Sequence, residues 1–143
     1  MPPAKHKHRL IQGNLRIAFE QAPGLDSIVE IELGFRPSGD HEYRIAEVAL
    51  VSRNRWERIP PEGYLDGAPD LVVEVLSPSN SASEMQDKEQ MCLENGCREF
   101  WIVDPVRRQI RVSTPGGRFL FYRDGQQVPL PNGGSLAVTA VFA

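Results

Sequence analysis

No stretch of the 143-residue chain comes near the roughly 20 apolar residues that a helix needs to cross a bilayer. The amino-terminal "MPPAKHKHRL" is positive, but no long apolar run follows it, which argues against a secretory leader. Basic excess is also missing. The formal net charge of -3 argues against broad electrostatic coating of nucleic acid and leaves room for a local basic groove. Cysteine is scarce: Cys92 and Cys97 fit neither a zinc-ligand spacing nor a CxxC pair. Their surroundings read as a helix and its end, a poor place for a local disulfide. A reduced, cytoplasmic protein without a membrane partner is expected. There is no internal repeat, linker or low-complexity segment. With 41% hydrophobic and 24% charged residues, the chain is expected to form one globular domain over residues 1–143.

The pattern that is present mixes two periods. Ile11, Leu15 and Ala18 recur at helical spacing, with His8 and Phe19 near the same face, so residues 8–21 are expected to be a helix. Residues 27–39 and 42–52 alternate as strands around "PSGD" turn chemistry, the signature of an antiparallel hairpin. "RIPPEGYLDGA" reads as loop. Residues 70–76 form an apolar run typical of a strand buried on both faces. A helix is expected over residues 82–95, closed by Gly96. Strand 98–105, then "QIRVST", then short β runs between Gly-rich turns complete the chain. Strand, helix and strand over 70–103 predict one parallel crossover in a mixed sheet. The fold class is thus α/β (α+β), a mixed sheet with flanking helices and β-hairpins at the carboxyl end.

"PDLVVEVLSPSN" raises a chemical question. Glu74 sits in the middle of its apolar strand, where a lone charge is expensive unless it is paired, protonated or bound to a metal. Glu47 sits likewise inside "IAEVALV". Met85, Lys88 and Cys92 share one helical face, so a buried Met85 and Cys92 would turn Lys88 toward the sheet. Two carboxylates can hold Mg²⁺, and a lysine beside them can position a water or offset charge on a phosphoryl group. That is a minimal set for metal-assisted phosphodiester hydrolysis. The same spacing also suits a structural ion pair between Glu74 and Lys88, with Glu47 reaching solvent.

Residues 69–105 closely resemble the signature of the Uma-two-type family of restriction endonucleases, within the PD-(D/E)XK nuclease superfamily. The matching positions are Pro69, Asp70, Leu71, Glu74, Val75, Ser77, Pro78, Ser79, Lys88, Gly96, Glu99, Trp101, Val103 and Asp104, with Cys97 and Phe100 as departures. The resemblance implies a restriction-endonuclease-like core, metal-dependent cleavage of DNA with Mg²⁺ or Mn²⁺, and a possible homodimer. It implies Glu47 and Glu74 as metal-holding carboxylates and Lys88 as the catalytic lysine, moved onto the helix from the usual superfamily position, here Leu76. Glu47 stands where the family has Asp, and Ala46 where it has Pro. The added methylene matters because Mg²⁺ demands near-octahedral geometry. Family members also tend to carry a further amino-terminal segment, so a shortened member is expected. A degenerate relative that binds nucleic acid or a protein without cutting, or a subunit serving assembly through its carboxyl-terminal hairpins, is the alternative.

Other residues carry weaker signals. Asp70 shares the Glu74 face and is a candidate third metal-shell acid, though an Asp after Pro at a strand start is commonly a turn residue. Ser77 and Ser79 are expected to cap the helix. His6 and His8 can reach phosphate or be solvated. Of Phe100 and Trp101, at least one should be core. Arg53, Arg55, Arg107 and Arg108 flank the site strands and can neutralise phosphates, with surface solvation as the default.

Overall fold

The computed structural model describes residues 5–143 apart from positions 25 and 40. Helix α1 (His6–Gln21) buries Ile11, Gln12, Leu15 and Phe19 in one stripe. Strands β1 (Ser27–Arg36) and β2 (Arg44–Ser52) pair antiparallel, as their alternation predicts. A short helix α2 (Arg53–Glu57) follows, which the sequence reading did not assign. Next come β3 (Leu65–Asp66), β4 (Leu71–Val75), α3 (Ala82–Glu94) and β5 (Glu99–Asp104). Strands β6 (Gln109–Thr114) and β7 (Arg118–Arg123) form one hairpin, and β8 (Gln127–Pro129) and β9 (Ser135–Ala137) another. Helix α4 (Val138–Val141) lies where a β run was expected. Val138 and Val141 are fully buried in the α1 layer, and that packing overrides the strand preference of valine.

Seven strands form one mixed sheet in the order β3-β1-β2-β4-β5-β6-β7. The β4–β5 pair is parallel and crosses over through α3, as expected. A second parallel contact, β1–β3, adds a short edge the sequence did not announce. Helix α1, α4 and the β8–β9 ribbon cover one face around Phe19 and Trp101, whose rings pack 5.3 Å apart. Helix α3 covers the other face through Met85 and Cys92. Phe100 faces this second layer, so both Phe100 and Trp101 are core and neither is free to stack on a base.

Helix α3 is held at both ends. Ser81 is its N-cap: its hydroxyl accepts from the Glu84 N–H at 3.0 Å and donates to Glu84 Oε1 at 3.0 Å. This corrects the expectation for Ser77 and Ser79, which hydrogen-bond each other instead. The cap falls on the residue directly before the first helical turn, and Ser81 with Glu84 has the spacing of a capping box. At the far end Gly96 has φ of 107°, and the Cys97 N–H reaches back to the Cys92 carbonyl at 3.0 Å, the long bond of a Schellman motif. A rigid α3 fixes the height at which Lys88 meets the sheet.

Candidate active site

Strands β2 and β4 pair through Val48↔Val73, Ala49↔Val72 and Leu50↔Leu71. Continued by one step, that register sets Glu47 across from Glu74, and there the ladder gives way to side chains. The Glu47 N–H donates to Glu74 Oε2 at 2.9 Å, and the Val75 N–H faces the Glu47 carboxyl. Glu74 thus occupies a backbone donor of the opposite strand, and Glu47 faces another, where the two strands fork. Both donors are buried and would otherwise be orphaned.

Glu74 is almost wholly buried, and its other oxygen accepts from Lys88 Nζ at 2.5 Å. Lys88 also donates to the Ile45 carbonyl at 2.6 Å. Burial pushes the Glu74 pKa up, while Lys88 and the Glu47 N–H pull against it. The carboxylate in the apolar strand therefore survives because an ammonium and an amide face it. Glu74 and Lys88 line an open cleft of about 490 Å³ with Arg44, Asn80 and Met91, so solvent reaches the pair.

Glu47 lies on the α1 side. His8 Nε2 stands against its Oε2, without hydrogen-bond geometry, and this buried oxygen has no hydrogen-bond donor. Burial, then the nearby Glu74, pushes the Glu47 pKa up to about 8. Burial lowers the His8 pKa. At neutral pH the contact therefore joins a protonated acid to a neutral imidazole and is not an ion pair.

Two further residues belong to this cluster and were missed in the sequence. Gln12 Nε2 donates to Glu32 Oε1 at 2.9 Å and to the Glu47 carbonyl at 3.3 Å. Glu32 has φ of 56°, a left-handed conformation that a non-glycine residue rarely adopts. Gln12 could have been found as a polar residue on the buried stripe of α1. Glu32 carries no such signal, because on an alternating strand it reads as a solvent-facing position.

The other candidates lie apart. Asp70 lies just before β4, four residues and roughly 13 Å from Glu74 at strand rise. Its carboxylate accepts from Arg55 Nη1 at 2.6 Å and from the Ser52 N–H at 3.4 Å. It serves as the anchor of α2, and the structure does not bring it to the two glutamates. Arg53, Arg107 and Arg108 are likewise engaged, by Asp26, Asp104 and Asp124. His6 is exposed. Cys92 and Cys97 are free and buried, and burial pushes the Cys92 thiol up to about 12. Among the described residues, no set of three His, Cys, Asp or Glu side chains is close enough to cage a metal ion.

The sequence profile of the Uma2 family, described as "Putative restriction endonuclease", matches residues 1–142. The chain belongs to the Uma2 family. No curated protein matches it. Among solved structures, a "putative nuclease belonging to DUF820" from Anabaena variabilis ATCC 29413 superposes with a TM-score of 0.82. The two share 22% identity over 99% of this chain and 83% of the other. At that identity the likeness establishes the restriction-endonuclease-like fold alone. This Uma2 chain has no helix long and apolar enough to cross a membrane among its described residues.

Proposed function

We propose that this chain is an endonuclease that hydrolyses DNA phosphodiester bonds, with Glu47 and Glu74 holding Mg²⁺ or Mn²⁺ and Lys88 orienting the attacking water. The observation that carries it is the fork, where Glu74 and Lys88 pair at an open cleft and Glu47 stands across from Glu74 in register, its carboxyl on the α1 side. The donor set fits a hard cation. Glu47 Oε2 stands against His8 Nε2 and would have to turn from it to reach an ion, while each Glu74 oxygen, having accepted one hydrogen bond, keeps a second lone-pair site. Mg²⁺ usually takes one or two carboxylates and keeps several waters, so a three-residue cage is not required. Once bound, such an ion polarises a phosphoryl oxygen and acidifies a bound water.

The chain's own groups prepare that chemistry. Lys88 has three donors, and its two bonds to Glu74 and Ile45 leave one directed by a fixed ammonium. That donor can hold a water or a non-bridging phosphate oxygen. Glu47 must lose its proton to act as a ligand, so metal binding should strengthen as pH rises. Asp70 takes no part, because Arg55 and the Ser52 N–H hold it. The free, buried cysteines suit a reducing cytoplasm.

The test is nicking of supercoiled plasmid with Mg²⁺ or Mn²⁺, beside calorimetric titration of Mn²⁺. Wild-type chain should cut and bind metal. Glu74→Gln should lose both, and Lys88→Met should lose cutting while still binding metal. Absence of metal binding that depends on Glu74 would remove the enzyme reading. A second reading, a relative that grips nucleic acid without cutting, is favoured by one observation: the longer Glu47 side chain is turned against His8. Salt-dependent DNA binding with no cleavage would select it.

A further inference from the structure

Beyond the fork, the β1–β2 hairpin continues as an arm at the same end of the sheet. Register places Gly34 opposite Ile45, and strand alternation sets Arg36 and Tyr43 on that same face. Tyr64, from the loop before β3, lies over Gly34; a Cβ there would stand 3.2 Å from the Tyr64 ring. The Tyr43 and Tyr64 rings pack 4.5 Å apart. Arg36 lies over the Tyr43 ring at 4.7 Å and donates to its hydroxyl at 2.6 Å. The rings are nevertheless open: Tyr43 is 49%, Tyr64 54% and Ile45 56% exposed.

Charge marks the same arm. Arg53, Arg55, Arg107 and Arg108 all have carboxylate partners. Among the described residues Arg36 and Arg44 have none, as is true also of Arg9, Arg58, Arg98, Arg118 and Arg123, but these two sit together on the arm: Arg36 bonds the Tyr43 hydroxyl, and Arg44 bonds the Glu42 and Tyr43 carbonyls. Arg44 lines the cleft with Glu74 and Lys88. Glu84 and Asp87 line that cleft too, so a polyanion is steered toward the arm.

We propose that the Tyr43–Tyr64 pair is a stacking platform for an unpaired nucleotide on the sheet face opposite the Lys88 cleft, with Arg36 taking a phosphate on the platform face and Arg44 one on the cleft face where the strand rounds the unpaired end of β2. Duplex bases have both faces covered by their neighbours, whereas an unpaired base offers one to a protein ring. The preferred substrate is therefore single-stranded or locally unpaired nucleic acid. This rests on the endonuclease reading only for the phosphate on the cleft face; the platform is measurable without cutting.

The test uses fluorescence anisotropy of the full chain, without divalent metal, on a labelled oligonucleotide of mixed sequence and on its duplex. The single strand should bind more tightly. Y43L/Y64L should weaken single-strand binding by about ten-fold or more and leave the duplex unchanged. Y43F/Y64F, which keeps the rings, should bind as wild type. R36Q/R44Q should flatten the salt dependence by up to about 0.7 in log–log slope per residue. Equal affinity for both probes, or single-strand binding indifferent to Y43L/Y64L, overturns the platform. Should the leucine pair unfold the chain, an unchanged salt slope in R36Q/R44Q overturns it instead. Ring-dependent binding with no metal-dependent cutting keeps the platform and sinks the endonuclease; cutting that ignores the rings does the reverse.

Discussion

Replacing Lys88 by Met deletes the cation against Glu74 and keeps an apolar stem of similar length. Breaking a buried ion pair costs about 3–5 kcal/mol, because an uncompensated charge stays behind. The Glu74 side chain is 5% exposed and that of Lys88 23%, so the cleft wets the lysine end and the lower figure, about 3 kcal/mol, applies. Glu74 can escape part of that cost by taking a proton. Burial already pushes its pKa up, and Lys88 is the largest influence holding it down. A carboxyl group whose folded pKa exceeds its unfolded one stabilises below the unfolded pKa and loses that contribution as pH rises through the folded one. Lys88→Met should therefore sit near wild type at about pH 5 and fall behind by about 3 kcal/mol toward pH 8, a Tm loss of roughly 10 °C. Urea denaturation across that pH range measures it. The double variant Glu74→Gln/Lys88→Met removes both charges and should recover much of the loss. A Lys88→Met variant within about 0.5 kcal/mol of wild type throughout, or strict additivity in the double variant, would refute the pairing.

Three further outcomes follow from other parts of the molecule. Glu47, pushed up to about 8 by burial, favours the folded state below its unfolded value near 4.3 and loses that contribution as pH climbs to about 8. Glu47→Gln should flatten the stability–pH profile across that window in thermal melts; a profile as steep as wild type would sink the assignment. The Ser113 hydroxyl is buried with no partner, so Ser113→Ala should raise stability by about 1 kcal/mol, and a lowered Tm would contradict it. Strand β7 ends the sheet and exposes Phe119, Leu120 and Phe121. If a second copy adds at this edge, light scattering should find a dimer that Phe121→Lys dissociates, and a parent chain monomeric at every concentration would rule that out.

Much of the fold was legible because its signals are local. Alternation marked β1 and β2, and the apolar run marked β4. The Met85, Lys88 and Cys92 spacing marked which way α3 faces, and Lys88 does reach Glu74. Short elements were not legible: α2 is five residues long, and α4 depends on Val138 and Val141 packing against a helix more than a hundred residues earlier in the chain. Asp70 shows the limit of face arguments. It shares the parity of Glu74, yet distance along the strand separates them and Arg55 claims it. Gln12 was readable as a polar residue on the buried stripe of α1, whereas Glu32 lay beyond reach because its role is set by an irregularity in the sheet.

That irregularity explains why the acids meet at all. On β1, Val29 and Ile31 pack toward α1, whereas Leu33 and Phe35 pack toward α3. All four are odd-numbered, so strict alternation would keep them on one face. The same exchange occurs on β2, where Val48 and Leu50 face α1 but Ala46 faces α3. Both switches fall between the pairs Ile31↔Val48 and Leu33↔Ala46, at Glu32 and Glu47. The left-handed Glu32 is the hinge of that exchange, and Gln12 holds it by bonding its carboxylate and the Glu47 carbonyl together. Past this point the hairpin can no longer pair with β4, so two backbone donors need new acceptors. Glu47 and Glu74 supply them, and Lys88 closes the gap by donating to Ile45 on one strand and Glu74 on the other. The pair of acids on which the proposed chemistry rests is thus also what repairs the sheet. Glu32→Gly, which relieves the φ of 56° while removing the Gln12 contact, separates the two roles: the backbone is retained, and the Glu47 pKa should fall because one neighbouring carboxylate is gone. An unchanged Glu47 titration by NMR would show that Glu32 acts on the fork through geometry alone.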